Sequence, residues 1–135
     1  MAALTADRDT KERSGNKLVL AVAASVTIYA GALVARDANG RATPGATATT
    51  LRGVGRACEK VTNGSAAGAV SVEIDKGIFR FGNSTSTDAI TTANIGADCY
   101  IVDDQTVALT SGSSTRSVAG KIHDVDTSGV WVDMR

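Results

Sequence analysis

From residue 17 onward the chain breaks into short runs rich in Val, Ile and Leu, interrupted about every ten residues by clusters of Gly, Asn, Asp and Ser. Nine of these runs predict strands: 17–22, 31–37, 51–58, 69–75, 77–82, 98–103, 106–110, 118–125 and 129–134. Alternation is clearest in 69–75. There Val70, Val72 and Ile74 share one face and Ser71, Glu73 and Asp75 the other, the mark of a strand with one buried side. Asn39-Gly40 and Asn63-Gly64 suit turns whose two central residues take positive φ. Asp126 to Gly129 suits a longer hairpin loop in which Asp126 accepts from the turn's own N–H groups. One helical turn or two is predicted in 87–97, stopped by Gly96, and surface loops of small polar residues in 42–50 and 110–117. The pattern is that of an all-β protein: a single-domain β-sandwich or barrel of short antiparallel strands.

Residues 1–16 depart from it, with mixed charge, little apolar content and a Ser-Gly-Asn end. They predict a flexible N-terminal arm ahead of a β-domain at 17–135. Ordering the backbone of such an arm costs about 1–2 kcal/mol per residue, which its apolar surface cannot offset without a partner. The arm is therefore expected to bind rather than to fold, adding a strand or lying along a groove. Leu4 is its apolar anchor, and Arg8, Lys11 and Arg13 are its contacts to an acidic surface.

Composition sharpens this picture. Hydrophobic residues make up 43% of the chain but aromatics only 4%, so the core is built from aliphatic side chains with little ring packing. A core this thin gains from extension by a neighbouring subunit. Fourteen basic and fourteen acidic residues cancel, which argues against nucleic-acid binding. The charges are unevenly spread. Residues 17–80 hold eight Lys/Arg against four Asp/Glu, and residues 81–135 hold three against seven. Opposite halves of this kind attract within one fold or between copies. The stretch 17–35 mimics a targeting signal, but Ser25, Thr27, Tyr29 and Gly31 interrupt it and the segment before it is as acidic as basic. Two buried strands around a turn are expected there instead, with no membrane contact.

Candidate chemistry is sparse. Residues 121–135 hold the only histidine and the only tryptophan. Strict alternation places His123 and Asp124 on opposite sides of a strand, so they cannot converge on one ion, and no metal or cofactor is expected. Trp131 is expected to cover an apolar patch of a terminal hairpin. Cys58 and Cys99 lack metal or disulfide spacing and are expected to be buried strand residues. The run 72–77, VEIDKG, resembles the hairpin of lipoyl and biotinyl carrier domains. That alternative nominates Lys76 for modification, although an apolar strand continues at Ile78, Phe79 and Phe81. No nucleophile elbow or phosphate-binding loop is present, and no enzymatic activity is expected.

The order of several stretches carries a resemblance over nearly all 135 residues: MAALTADRDT at the start, IYAGALVARDANGRATPGA (28–46), LRGVGRACEKVTNGSAAGAVSVEIDKGIFRF (51–81), IGADCYIVDDQTV (95–107) and VAGKIHDVDTSGVWVDM (118–134). Taken together, the chain resembles the small capsid decoration, or cement, proteins of tailed bacteriophages and Mu-like prophages. The resemblance implies a structural virion protein on the outer surface of the phage head. It implies binding to the major capsid protein and to neighbouring copies, as a dimer or trimer, without direct nucleic-acid contact. That family offers no catalytic residues to carry over.

Overall fold

The computed structural model describes residues 2–135. The chain is all-β. Its strands are β1 (Lys17–Ala21), β2 (Val26–Ile28), β3 (Leu33–Arg36), β4 (Ala42–Pro44), β5 (Arg52–Ala57), β6 (Val61–Asn63), β7 (Ser71–Asp75), β8 (Ile78–Asn83), β9 (Asp98–Ile101), β10 (Thr106–Ala108), β11 (Val118–Asp126) and β12 (Gly129–Asp133). All nine predicted strands are among them, most shortened at an end. The helical stretch appears as two single 3-10 turns, Ser86–Asp88 and Thr92–Asn94, and Gly96 follows at φ +95°.

The strands form two lobes. In the N-terminal lobe a five-stranded sheet runs in the order β1-β7-β5-β3-β4, beside a two-stranded ribbon of β2 and β6. In the C-terminal lobe β10-β8-β12-β11-β9 close into a barrel. The prediction of antiparallel strands needs one correction, because β8 and β10 pair in parallel. The reason is topological: a closed ring with an odd number of strands cannot alternate direction all the way round.

Each lobe has its own core, and β3 is the wall between them. Leu33 and Ala35 pack with Phe81, Ile101, Ile122 and Val132 on the barrel side. Val34 faces the other way, towards Val22, Ile28, Val72 and Ile74. This explains why β3 is an unbroken buried run rather than an alternating one. A second strand crossing brings the lobes into contact at Gly53. A Cβ there would sit 2.2 Å from the Ala119 carbonyl oxygen, so only glycine lets β5 lie this close to β11.

Several expectations are corrected. β2, β4 and β6 were not predicted, and β4 lies inside the supposed loop 42–50. At Asn39-Gly40 only Gly40 takes positive φ, +77°. Asp37 shapes that turn instead, its carboxylate accepting from the N–H groups of Asn39 and Arg41, both at 2.9 Å. Neither residue of Asn63-Gly64 takes positive φ; the turn is shaped instead by Asn63, the last residue of β6, whose Oδ1 accepts from the Ser65 N–H at 3.0 Å. Asn63 is 2% exposed, and its side-chain amide donates to the carbonyls of Val22, Ala23 and Ala66 at 3.0–3.2 Å. Asn63 thereby ties β6 to the end of β1.

Candidate interaction surfaces

The arm is the first surface. Residues 2–16 form no helix or strand, and every one of them is exposed. Leu4 is 71% exposed. Lys11 pairs with Asp9 of the arm itself, while Arg8 and Arg13 have no ion pair among the described residues. At its root, the Asn16 carbonyl accepts from the Lys76 N–H at 3.0 Å. The structure thus brings none of Leu4, Arg8, Lys11 and Arg13 into a common site on the domain. They stand available along an extended segment.

The second surface is the edge of β1, which pairs with β7 alone along Lys17–Ala21. Val19, 63% exposed, is the large apolar side chain there. A charge cluster anchors the strand: Lys17 Nζ lies 2.5 Å from Asp75 and 3.3 Å from Glu73, and Arg56 bonds the other oxygen of Asp75 at 2.9 Å. Hydrogen bonds from Lys17, then Arg56, hold the Asp75 carboxyl well below the usual carboxylate range.

The third is a groove at the junction of the lobes, lined by Gly31, Arg56, Phe79, Arg80 and Trp131. The Arg56 guanidinium stacks 4.5 Å from the Phe79 ring centre and Arg80 lies 5.6 Å from that of Trp131. Trp131 also donates its indole N–H to Asp126 at 2.8 Å. Asp126 accepts from the Ser128 and Gly129 N–H groups as expected. Trp131 is therefore a latch on the hairpin turn as much as a cover for apolar surface.

The terminal hairpin departs from strict alternation. A β-bulge falls between Ile122 and Asp124, so His123 has no opposite number on β12. Asp124 then pairs with Trp131 on the outer face and Val125 with Val130 on the inner one, the reverse of the expected placement. His123 and Asp124 are both exposed. Among the described residues no three His, Cys, Asp or Glu gather where they would hold a metal ion.

Cys99 is buried as expected, and burial pushes its thiol up to about 12. Cys58 is exposed, contrary to expectation, because it follows β5 on the charged rim beside Lys17 and Asp75. Its thiol is also raised, by partial burial first and then by Asp75, so neither sulfur is a ready nucleophile. Lys76 does not stand at a hairpin tip. It links β7 of the sheet to β8 of the barrel, which do not pair, and its Nζ donates to the Val54 carbonyl at 2.8 Å. Burial, then nearby Arg52, lowers its pKa. The hairpin that a carrier domain needs around its lysine is not formed here. No helix is long and apolar enough to cross a membrane. Comparison with known family models, curated proteins and solved structures returns no match.

Proposed function

We propose that this chain is a structural virion protein that binds the outer surface of a phage head, contacts the major capsid protein and neighbouring copies, and stabilises the shell. The observation that carries the reading is an arm without helix or strand, with Leu4 71% exposed, attached to the open edge strand of an otherwise internally hydrogen-bonded β-domain. A segment of this kind gains order only against a partner, where backbone pairing and burial of Leu4 supply most of the energy. Exposed ion pairs from Arg8 and Arg13 add a salt-sensitive increment. The whole-chain resemblance to cement proteins names the partner as the major capsid protein. In this reading the protein works through interface area, without turnover, cofactor or nucleic-acid contact.

The test is co-sedimentation with undecorated, expanded capsids of the phage that encodes the chain. Saturable binding is expected, with affinity falling at least tenfold, about 1.4 kcal/mol, when residues 2–14 are deleted. Absence of binding to those shells overturns the proposal. Undiminished binding by the truncated protein overturns the role of the arm.

A further inference from the structure

We infer that β1 is the surface through which two copies of this chain meet, by antiparallel pairing of β1 with β1 across a two-fold axis at Leu18. The inference rests on the proposed association of neighbouring copies and names the face they use.

The backbone of β1 sets the geometry. The Val22 N–H donates to the Val70 carbonyl and the Lys76 N–H to the Asn16 carbonyl, and both fall on the β1–β7 register. In an antiparallel ladder every second residue bonds to a given neighbour. Leu18 and Leu20 therefore bond to β7, and the peptide groups of Lys17 and Val19 point to the free edge. That edge carries no proline and no bulge, and its one lysine, Lys17, is drawn back to Glu73 and Asp75 of β7 rather than left to repel a second strand. Several other edges are guarded, and the separate ribbon of β2 and β6 offers only three residues per strand. β4 is three residues long and ends in Pro44, the barrel is closed, and the unpaired stretch of β8 lies in the groove beside Gly31 and Arg56.

Side chains agree with the backbone. Leu18 and Leu20 are only half-buried although both pack on the sheet-lobe core. Their remaining apolar surface borders the open edge, and Val19 adds an exposed apolar side chain on the opposite face. A second β1 would complete the cover of the leucines and extend an aliphatic core that has little ring packing.

The register is restricted to one choice. Centring the axis on Val19 would set Lys17 of the second copy against Ala21, where β4 already lies: Val22 bridges Ala42 and the Ala23 N–H bonds the Ala42 carbonyl. Centring it on Lys17 would oppose two lysines. With the axis at Leu18, Leu18 faces Leu18 and Lys17 faces Val19, and all bonding groups are the outward ones. Pairing of about five residues per copy buries less than the roughly 1,000 Å² of a stable interface. The dimer is therefore weak in solution and reinforced where copies are held side by side.

Sedimentation equilibrium of the full chain over a concentration series tests this. A monomer–dimer equilibrium is expected, with the Lys17 and Val19 amides exchanging more slowly as concentration rises. Val19→Pro removes an N–H that makes no bond within the fold, so it should raise the dimer dissociation constant at least tenfold with an unchanged melting temperature. Val19→Lys should do the same through charge, independently of any strain from proline. A chain that stays monomeric at about 1 mM, or a dimer indifferent to both substitutions, overturns the inference. Dimerisation through β1 by a chain that ignores capsids would overturn the capsid reading alone. Capsid binding by a chain that never pairs through β1 would overturn this inference alone.

Discussion

The two lobes handle their strand edges in opposite ways. In the barrel, β10 joins β9 to β8 and completes the ring, and the start of β8, unpaired on that side, is tucked into the groove between the lobes. In the sheet lobe, the curl brings the end of β1 to β4 at a single bridge, Val22 to Ala42, and stops there. The rest of β1 stays open, and the arm leaves from that same strand. Charge follows the division: residues 17–76 hold seven Lys/Arg against four Asp/Glu, and residues 77–135 hold four against seven. Closure makes the barrel self-sufficient, while the open lobe keeps peptide groups and apolar surface for partners. On the proposed function, the lobe that is less complete is the one placed to make contacts.

The largest effect that sharpens this contrast is loss of a barrel core side chain. Ile122 is 1% exposed and surrounded by barrel residues. Ile122→Ala should destabilise the protein by about 2–5 kcal/mol in urea unfolding. Leu20→Ala, at the open edge and already half-exposed, should have less than half that effect. Equal losses would break the comparison. Because β3 contributes to both cores, each variant should still unfold in one transition.

Next in size is Asn63→Ala. The substitution leaves the carbonyls of Val22, Ala23 and Ala66 without the amide and the Ser65 N–H without its acceptor. A loss of about 1–3 kcal/mol is expected from thermal or urea melts. Hydrogen exchange should quicken at the end of β1 while β11 and β12 stay protected.

What was legible in the sequence divides by strand length rather than by lobe. The longer strands announce themselves in both lobes because they alternate, as Val72 and Ile74 do against Ser71, Glu73 and Asp75 in β7, and as Val130, Val132 and Met134 do against Trp131 and Asp133 at β12. The three missed strands are three residues each, too short for a period of two to show, and β10, equally short, was read only as part of the longer run 106–110. β3 gave the run but not the reason, since only the second core explains why both its faces are buried. The bulge at His123 was hidden: inserting one residue flips the following side chains, and nothing in the letters KIHDV marks it. Closure of the barrel through the parallel β8–β10 pair depends on a contact distant in sequence. The exposure of residues 2–16, without helix or strand, was legible, because low apolar content is compositional. The open edge was not, because an edge is defined by what fails to pair with it.

Acid exposes a smaller difference. Lys17, Arg56 and Cys58 depress the Asp75 carboxyl, and Arg135, through its side chain and its N–H, holds Asp133 at about 2. A carboxyl lowered on folding contributes fully above its unfolded pKa of about 4, and that contribution is lost as pH falls towards the folded value. The melting temperature should thus be flat above about pH 5 and decline from about pH 4 downward. Asp75 clamps β1 and β5 to β7, whereas Asp133 pairs only with the neighbouring Arg135, so the Leu18 and Leu20 amides should lose protection below about pH 4 while those of the barrel keep it. Asp75→Asn should flatten that part of the profile. Simultaneous loss in both lobes would show that the open edge is no weaker than the ring.

The smallest effect is expected at the root of the arm, where the open lobe meets the segment that proposes to bind. Residues 2–14 make no hydrogen bond to the β-domain among the described contacts, so their deletion should change stability by less than about 0.5 kcal/mol. Extending the deletion through Asn16 removes the acceptor of the Lys76 N–H. Lys76 begins the link from β7 to β8, so this bond steadies the passage between the lobes as well as the start of β1. Its loss should cost about 0.5–1.5 kcal/mol. Differential scanning calorimetry of the two truncations resolves the step. A large drop on removing residues 2–14 would place the arm within the fold, and with it the sheet lobe would no longer be the open one. If neither truncation changes the melting temperature, Asn16 belongs functionally to the arm, and β1 is held by Leu18, Leu20 and the Asp75 cluster alone.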